Sequence, residues 1–183
     1  GANVEEHPFE QLATQQPSAL EWFLLVSTAI VTAPVLEEVL FRGALQSWLE
    51  ERRWAPHIAM GLAVVTAAAM KGADMLNARS QGAGPLLLHL TPILFLLGLC
   101  VVFLAVWRFS RSSAPPAVFA SSALFASVHS FAWPSPVALF LLALALGWLA
   151  QRARSLAGSI VLHALFNGVS CVLLFFPKLT LSL

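Results

Sequence analysis

The chain has 183 residues, 58% of them hydrophobic and 10% charged, where a soluble domain carries roughly 25% charged residues. With a mean hydropathy of +0.80, this excludes an ordinary water-soluble globule and points to a single bundle of membrane helices. The 10 Lys plus Arg against 9 Asp plus Glu leave a net charge of +1, too balanced and too sparse for a nucleic-acid-binding surface.

Residues 1–17 read as a polar, acidic tail without the basic-then-apolar order of a signal peptide. With Gly1 in place of Met, they are expected to belong to a longer chain. A membrane domain is expected over 18–176, and 177–183 form a C-terminal tail. Six apolar segments follow one another: Ala19 to Leu49, Ala55 to Leu76, Leu86 to Trp107, Pro116 to Trp133, Val137 to Ala150 and Ser155 to Phe176. The first exceeds the roughly 20 residues a span needs and contains Pro34, so it is either one kinked helix or two pieces. The fifth is short for a span, so it is either tilted or stops inside the bundle. Backbone groups in hydrocarbon must pair internally, and long apolar runs without strict alternation leave helices as the solution. The expected fold is therefore all-α, a polytopic transmembrane bundle of about six apolar segments around an intramembrane polar cavity.

Punctuation agrees with those segments, in Gln81 to Pro85, Ser110 to Pro116 and Trp133 to Pro136. Trp22, Trp48, Trp54, Trp107, Trp133 and Trp148 all fall within a few residues of a segment end, where an amphipathic ring prefers the headgroup level. If all six segments cross, Arg52, Arg53, Arg108, Arg111, Arg152 and Arg154 share one face and Lys71, Arg79 and Lys178 the other. The arginine-rich face should be cytoplasmic. Cys100 and Cys171 have no metal or redox spacing and read as small core hydrophobes.

Charge inside the first segment needs a separate explanation. Glu37-Glu38-Val39-Leu40-Phe41-Arg42 puts two carboxylates and a guanidinium in an apolar run, at about 2.5–3.5 kcal/mol per charge. Such groups must face the bundle interior. On a helix Glu38 and Arg42 are i and i+4 and can pair, while Glu37 projects about 100° away and is left for another role. The fourth segment adds Phe125-Ala126-Ser127-Val128-His129, and the sixth adds His163 and Asn167 at i and i+4. A straight count at 1.5 Å per residue puts Glu37 and His129 about 20 Å deep, Asn167 about 18 Å and His163 about 12 Å, so one cavity can hold all four. Two histidines beside paired carboxylates concentrate titratable groups in apolar surroundings, the pattern of a functional site.

Other polar residues rank lower. His57 and His89 lie near segment starts, and Lys71 with Asp74 (i, i+3) reads as an interfacial pair or a snorkelling lysine. No His-Glu-x-x-His, Gly-x-Ser-x-Gly, phosphate loop or EF-hand loop is present.

Taken together, the three fragments resemble the CPBP family of intramembrane proteases, named for CAAX proteases and bacteriocin processing. That family carries Glu-Glu-x-x-x-Arg, Phe-x-x-x-His and His-x-x-x-Asn/Asp in this order. Here the matching residues are Glu37 to Arg42, Phe125 to His129 and His163 to Asn167, and Leu146 to Ile160 resembles the family's approach to its last motif. The likeness runs from about Ser18 to Cys171. One departure is the long stretch between the first two motifs, which holds two apolar segments where many bacterial relatives have a shorter connection.

The resemblance implies a helical membrane bundle with a conical cavity, and hydrolysis of a peptide bond in a membrane-associated substrate, either prenylated (CAAX-like) or of bacteriocin type. It implies Glu37 as general base on a water, Glu38 and Arg42 holding the helix and the charge balance, and His129 positioning the water or moving its proton. His163 and Asn167 would then donate to the oxyanion. A zinc version stays open, with Glu37, His129 and His163 as ligands and the other carboxylate as base. No other cofactor is expected. The competing reading is a non-catalytic bundle, transporter-like or an immunity or scaffold protein, that uses the same charges as a relay. Expected partners are membrane lipid and a peptide substrate, with no nucleic acid, in a prokaryotic inner membrane.

Overall fold

The first helix begins with a reciprocal cap. The Glu21 N–H donates to the Ser18 hydroxyl oxygen (3.3 Å), while the Ser18 N–H donates to the Glu21 carboxylate (2.7 Å). From there α1 runs without interruption over Ala19–Glu51 in a computed structural model that describes residues 18–79 and 83–175. Of the two alternatives for this segment, the single helix is the one formed. Pro34 is accommodated because π-helical turns over Thr28–Thr32 immediately precede it, and the altered hydrogen-bonding pattern there absorbs its missing N–H. A second π-helical stretch, Val39–Gln46, follows directly after Glu38.

Five further helices follow: α2 (Ala55–Arg79), α3 (Ala83–Phe109), α4 (Ala114–Ser127), α5 (Ser135–Ala153) and α6 (Ala157–Phe175). Among the described residues all regular structure is helical. By length and composition α1, α2, α3 and α5 are each able to cross a membrane, and α4 and α6 are shorter apolar helices. The expected all-α membrane bundle is what the chain forms. The tail at 1–17 and the residues after 175, including Phe176 and Lys178, lie outside the described residues, as do 80–82, with Gln81 and Gly82 of the Gln81 to Pro85 loop.

Two segment lengths differ from expectation. The fifth is not short, because α5 begins at Ser135, with Pro136 in its first turn, and continues to Ala153. The fourth is the one that stops early: α4 ends at Ser127, and residues 128–134 form irregular turns, with a cis peptide bond between Trp133 and Pro134. Non-helical backbone at this depth is tolerated where protein rather than lipid surrounds it, and Ser127, Ser130 and Ala132 are buried.

Helix α4 is the hub. Nearly all its side chains from Pro116 to Ser127 are buried, because α1, α2, α3 and α5 all pack on it. Small residues allow this close approach: Ala117, Ala120, Ala123 and Ala126 on α4 are buried, and so are Ala55, Ala59, Ala63 and Ala67 at four-residue steps along α2. Large apolar side chains such as Phe23, Val101, Leu141 and Leu165 point outward instead, which a lipid-facing surface requires. His57 packs edge-on to Phe103 (5.1 Å) and Trp107 (4.8 Å), joining α2 to α3.

The arginine-rich ends converge. One cleft of about 350 Å³ is lined by Glu50, Arg53 and Arg111. A second, of about 550 Å³, is lined by Arg42, Gln46, Glu50 and Arg154. Since Glu50 borders both, Arg53, Arg111 and Arg154 share one face.

At the junction of α1, α4 and α5, Gly147 allows a close approach of the helices. A Cβ there would lie 2.8 Å from Gln46 Oε1 and 3.0 Å from Val118 Cγ1. Gly147→Ala should therefore destabilise the bundle by about 1–3 kcal/mol, read as a lowered midpoint of thermal melting in detergent. An unchanged midpoint would show that the Gln46 amide moves aside without cost.

Candidate active site

Burial of Glu38 organises the site. Its side chain is 0% exposed, so its charge needs partners within the protein. Arg42, one turn further along α1, supplies Nη1 at 3.0 Å from Glu38 Oε1, forming the i/i+4 pair that the sequence suggests. The guanidinium is fixed in turn: Nη2 donates to the Ala143 carbonyl on α5 (3.2 Å), and its carbon lies 4.8 Å from the centroid of the Phe125 ring on α4.

The second partner comes from α6. The His163 Nδ1–H donates to the same Glu38 Oε1 (2.9 Å), and Nε2 lies 3.5 Å from Glu37 Oε2. The two adjacent carboxylates thus face opposite edges of one buried imidazole. A neutral ring carries one N–H. With Nδ1–H given to Glu38, Nε2 faces Glu37 as an acceptor, and any proton between them must sit on one or the other. Glu37 itself is 29% exposed, so of the two carboxylates it is the one open to the surroundings. Glu38 Oε2 and Arg42 Nε are buried without a hydrogen-bonding partner among the described residues, which leaves donor and acceptor capacity unused beside the imidazole.

His129 does not lie on α4. The helix has ended at Ser127, and the residue sits in the first turn beyond it. Its Nδ1–H donates to the Phe125 carbonyl (2.9 Å), which fixes the tautomer and leaves Nε2 as the bare acceptor in the neutral ring. The Phe125 ring packs against His129 (4.9 Å between centroids), and also edge-on against His163 (5.8 Å) and Phe41 (5.1 Å). Phe125 therefore touches both histidines.

Asn167 is one turn beyond His163 on α6 and lies further from the carboxylates than the depth count implies. Its amide donates to the Ala29 carbonyl (2.8 Å) in the first π-helical stretch of α1. His163, not Asn167, is level with Glu37, because a straight count ignores how α6 leans on α1.

The residues named for a zinc site do not fit one as arranged. Both histidines have Nδ1 held by an oxygen and Nε2 turned away from that bond, an orientation a metal ligand can use, but among the described residues no group of three or more His, Cys, Asp or Glu is gathered so as to hold a metal ion.

Two buried polar residues complete the surroundings; the sequence pointed to no role for Gln46 and to Lys71 only as an interfacial or snorkelling partner of Asp74. The Gln46 amide donates to the Gly147 carbonyl and to Glu50 Oε1, both at 3.3 Å. It lies one turn after Arg42, so the 38, 42, 46 spacing was its signal. Lys71 is the other, and its side chain is buried. It is 2% exposed, its Nζ donates to the Phe131 carbonyl (2.8 Å), and the Asp74 pair is formed at 3.5 Å. Its signal was the four-residue alanine stripe of α2, which reaches position 71 at its next step.

The family model described as type II CAAX prenyl endopeptidase, Rce1-like, matches residues 19–116 and 100–169. The chain belongs to this family. Searches of curated proteins and of solved structures return no significant match. The matched span contains every residue from Glu37 to Asn167, so the site lies within the Rce1-like region. Family and fold together make the chain an integral membrane protein of the CAAX-protease type.

In this Rce1-like site, removing one member of the buried pair should be worse than removing both. Arg42→Met strands the Glu38 charge and should cost about 3–5 kcal/mol of stability, part of which Glu38→Gln in the same chain restores. Thermal melting of the two single variants and the double variant measures this. Strictly additive losses would mean that the pair is not coupled.

Proposed function

We propose that the chain is an intramembrane endopeptidase in which Glu37, partnered by His163, activates a water molecule against a peptide carbonyl. The observation that carries this reading is the chain of contacts Glu37–His163–Glu38–Arg42: one carboxylate is held by arginine and histidine, and its neighbour is left accessible beside the histidine. Glu37 accepts a proton from water as the water oxygen bonds to the carbonyl carbon. The tetrahedral intermediate then collapses, the C–N bond breaks, and the proton passes by way of His163 to the leaving nitrogen. His129, with Nδ1 committed to Phe125, offers Nε2 to orient the water.

The geometry favours His163 as the partner of the base rather than as an oxyanion donor, because both its nitrogens face carboxylates. Asn167 keeps the oxyanion role: its amide has two N–H groups, one of which is held by Ala29. Glu38 and Arg42 position the imidazole.

The substrate is a membrane-associated peptide, prenylated or of bacteriocin type. The arginine-rich face is cytoplasmic, and the membrane is a prokaryotic inner membrane. The domain that acts spans 18–176. A proton or ligand relay in a non-catalytic bundle would use the same charges, and the first test separates the two readings.

Wild type, Glu37→Gln and His129→Ala, each shown to be folded by thermal melting, are incubated in detergent with a pool of quenched peptides, prenylated and unmodified. Wild type should cleave, and both variants should lose about 10²–10⁴-fold in rate. Undiminished cleavage by Glu37→Gln would refute the assignment of the base, and no cleavage by any form would favour the relay bundle. Exhaustive chelation should leave wild-type cleavage intact. Loss on chelation with recovery on added Zn²⁺ would instead establish the metal mechanism.

A further inference from the structure

A lysine buried in a membrane bundle is expensive unless its ammonium is held, and Lys71 has no function in the chemistry above. Its placement gives it one. On α2 it follows Ala55, Ala59, Ala63 and Ala67 at the next four-residue step, so it faces α4 and not lipid. Where α4 ends, its last turn closes on itself through three bonds: Val128 N–H to the Leu124 carbonyl (3.3 Å), His129 N–H to Ala126 (3.1 Å) and Ser130 N–H to Ser127 (3.2 Å). The next contact comes from outside the turn, with the Lys71 ammonium donating to the Phe131 carbonyl at 2.8 Å. Asp74, one turn along α2 at 3.5 Å, offsets the charge.

From this geometry we infer that Lys71 is a positioning residue: it clamps the turn after α4 and thereby holds His129 against Phe125. Two features make the clamp necessary. The segment 128–134 is irregular, so no helical ladder fixes it, and a hydrogen bond from a charged ammonium to a carbonyl is stronger than a neutral one. His129 is two residues before the clamped carbonyl, and its own side-chain bond runs back to the last full turn of α4. Releasing Phe131 frees one end of the turn that aims the imidazole. A misplacement of about 1 Å in such a group is enough to cost about a hundredfold in rate.

The inference rests on the peptidase reading for its kinetic consequence but not for its structural one, and the test separates them. The full chain in detergent is compared as wild type, Lys71→Met, Lys71→Gln and Lys71→Arg. Hydrogen exchange is followed over 128–134 and over 117–126, together with thermal melting and cleavage kinetics. For Lys71→Met, amides in 128–134 should exchange about tenfold faster or more while 117–126 stay protected. The kcat of the folded enzyme should fall about tenfold or more with KM within about twofold. Lys71→Arg, which keeps a cationic donor, should recover most of both. If Lys71→Met does not fold, Lys71→Gln decides, since it keeps a shorter neutral donor and should give an intermediate loss of protection. Unchanged protection over 128–134, or a fall in rate no larger than the unfolded fraction, would overturn the inference. If wild type cleaves nothing, the peptidase reading fails alone and the exchange data still decide whether Lys71 holds the turn.

Discussion

A carboxylate with no exposure cannot stay charged in an apolar bundle without fixed partners, and the rest of this structure follows from how Glu38 acquires them. Arg42 comes from the next turn of α1 and His163 from α6, both meeting the same oxygen. The guanidinium is then tied to the α5 backbone and covered by a phenylalanine of α4. One buried charge therefore links α1, α4, α5 and α6. The interaction is costly as stability, because desolvating charges offsets much of their attraction. What it provides is arrangement: with Glu38 tied, Glu37 is left beside His163 with part of its surface open.

The bundle is built to allow this. The small-residue faces of α2 and α4 bring those helices close, and α4 can then be surrounded on nearly every side. Its early end at Ser127 matters as much as its burial. Stopping the helix inside the protein turns His129 out of the helical ladder and onto a loop that other elements must hold, and Lys71 reaches that loop from α2. The π-helical stretches of α1 flank the short α-helical piece Ala33–Glu38 that carries both glutamates. Such departures from α geometry are frequent at functional sites, and here they bracket the residues assigned to the chemistry.

Much of this was legible in the sequence for physical reasons. Two carboxylates and an arginine in an apolar run could only face inward, and the four-residue spacing of Glu38 and Arg42 already implied their pair. Asn167 and His163 announced themselves in the same way as polar groups in the last apolar segment. Three features were not legible. Val128, Phe131, Ala132 and Trp133 are apolar, so hydropathy ran the fourth segment past the point where α4 stops. The burial of Lys71 was hidden by its place late in the second segment, because orientation depends on which helix face is buried. The meeting of His163 with both glutamates joins parts of the chain far apart in sequence, 125 positions for Glu38, and only the docking of α6 on α1 produces it. Straight counting of depth cannot supply that register.

The central claim is that Glu37 acts on water and does not itself attack the peptide. A single turnover in ¹⁸O-labelled water, with excess folded enzyme over a cleavable peptide, tests it most directly. The account predicts one ¹⁸O atom in the new C-terminal carboxylate of the product after the first turnover and none in the protein. Unlabelled product, with ¹⁸O appearing in the Glu37 carboxylate, would mean that Glu37 forms a covalent acyl intermediate and would contradict the account.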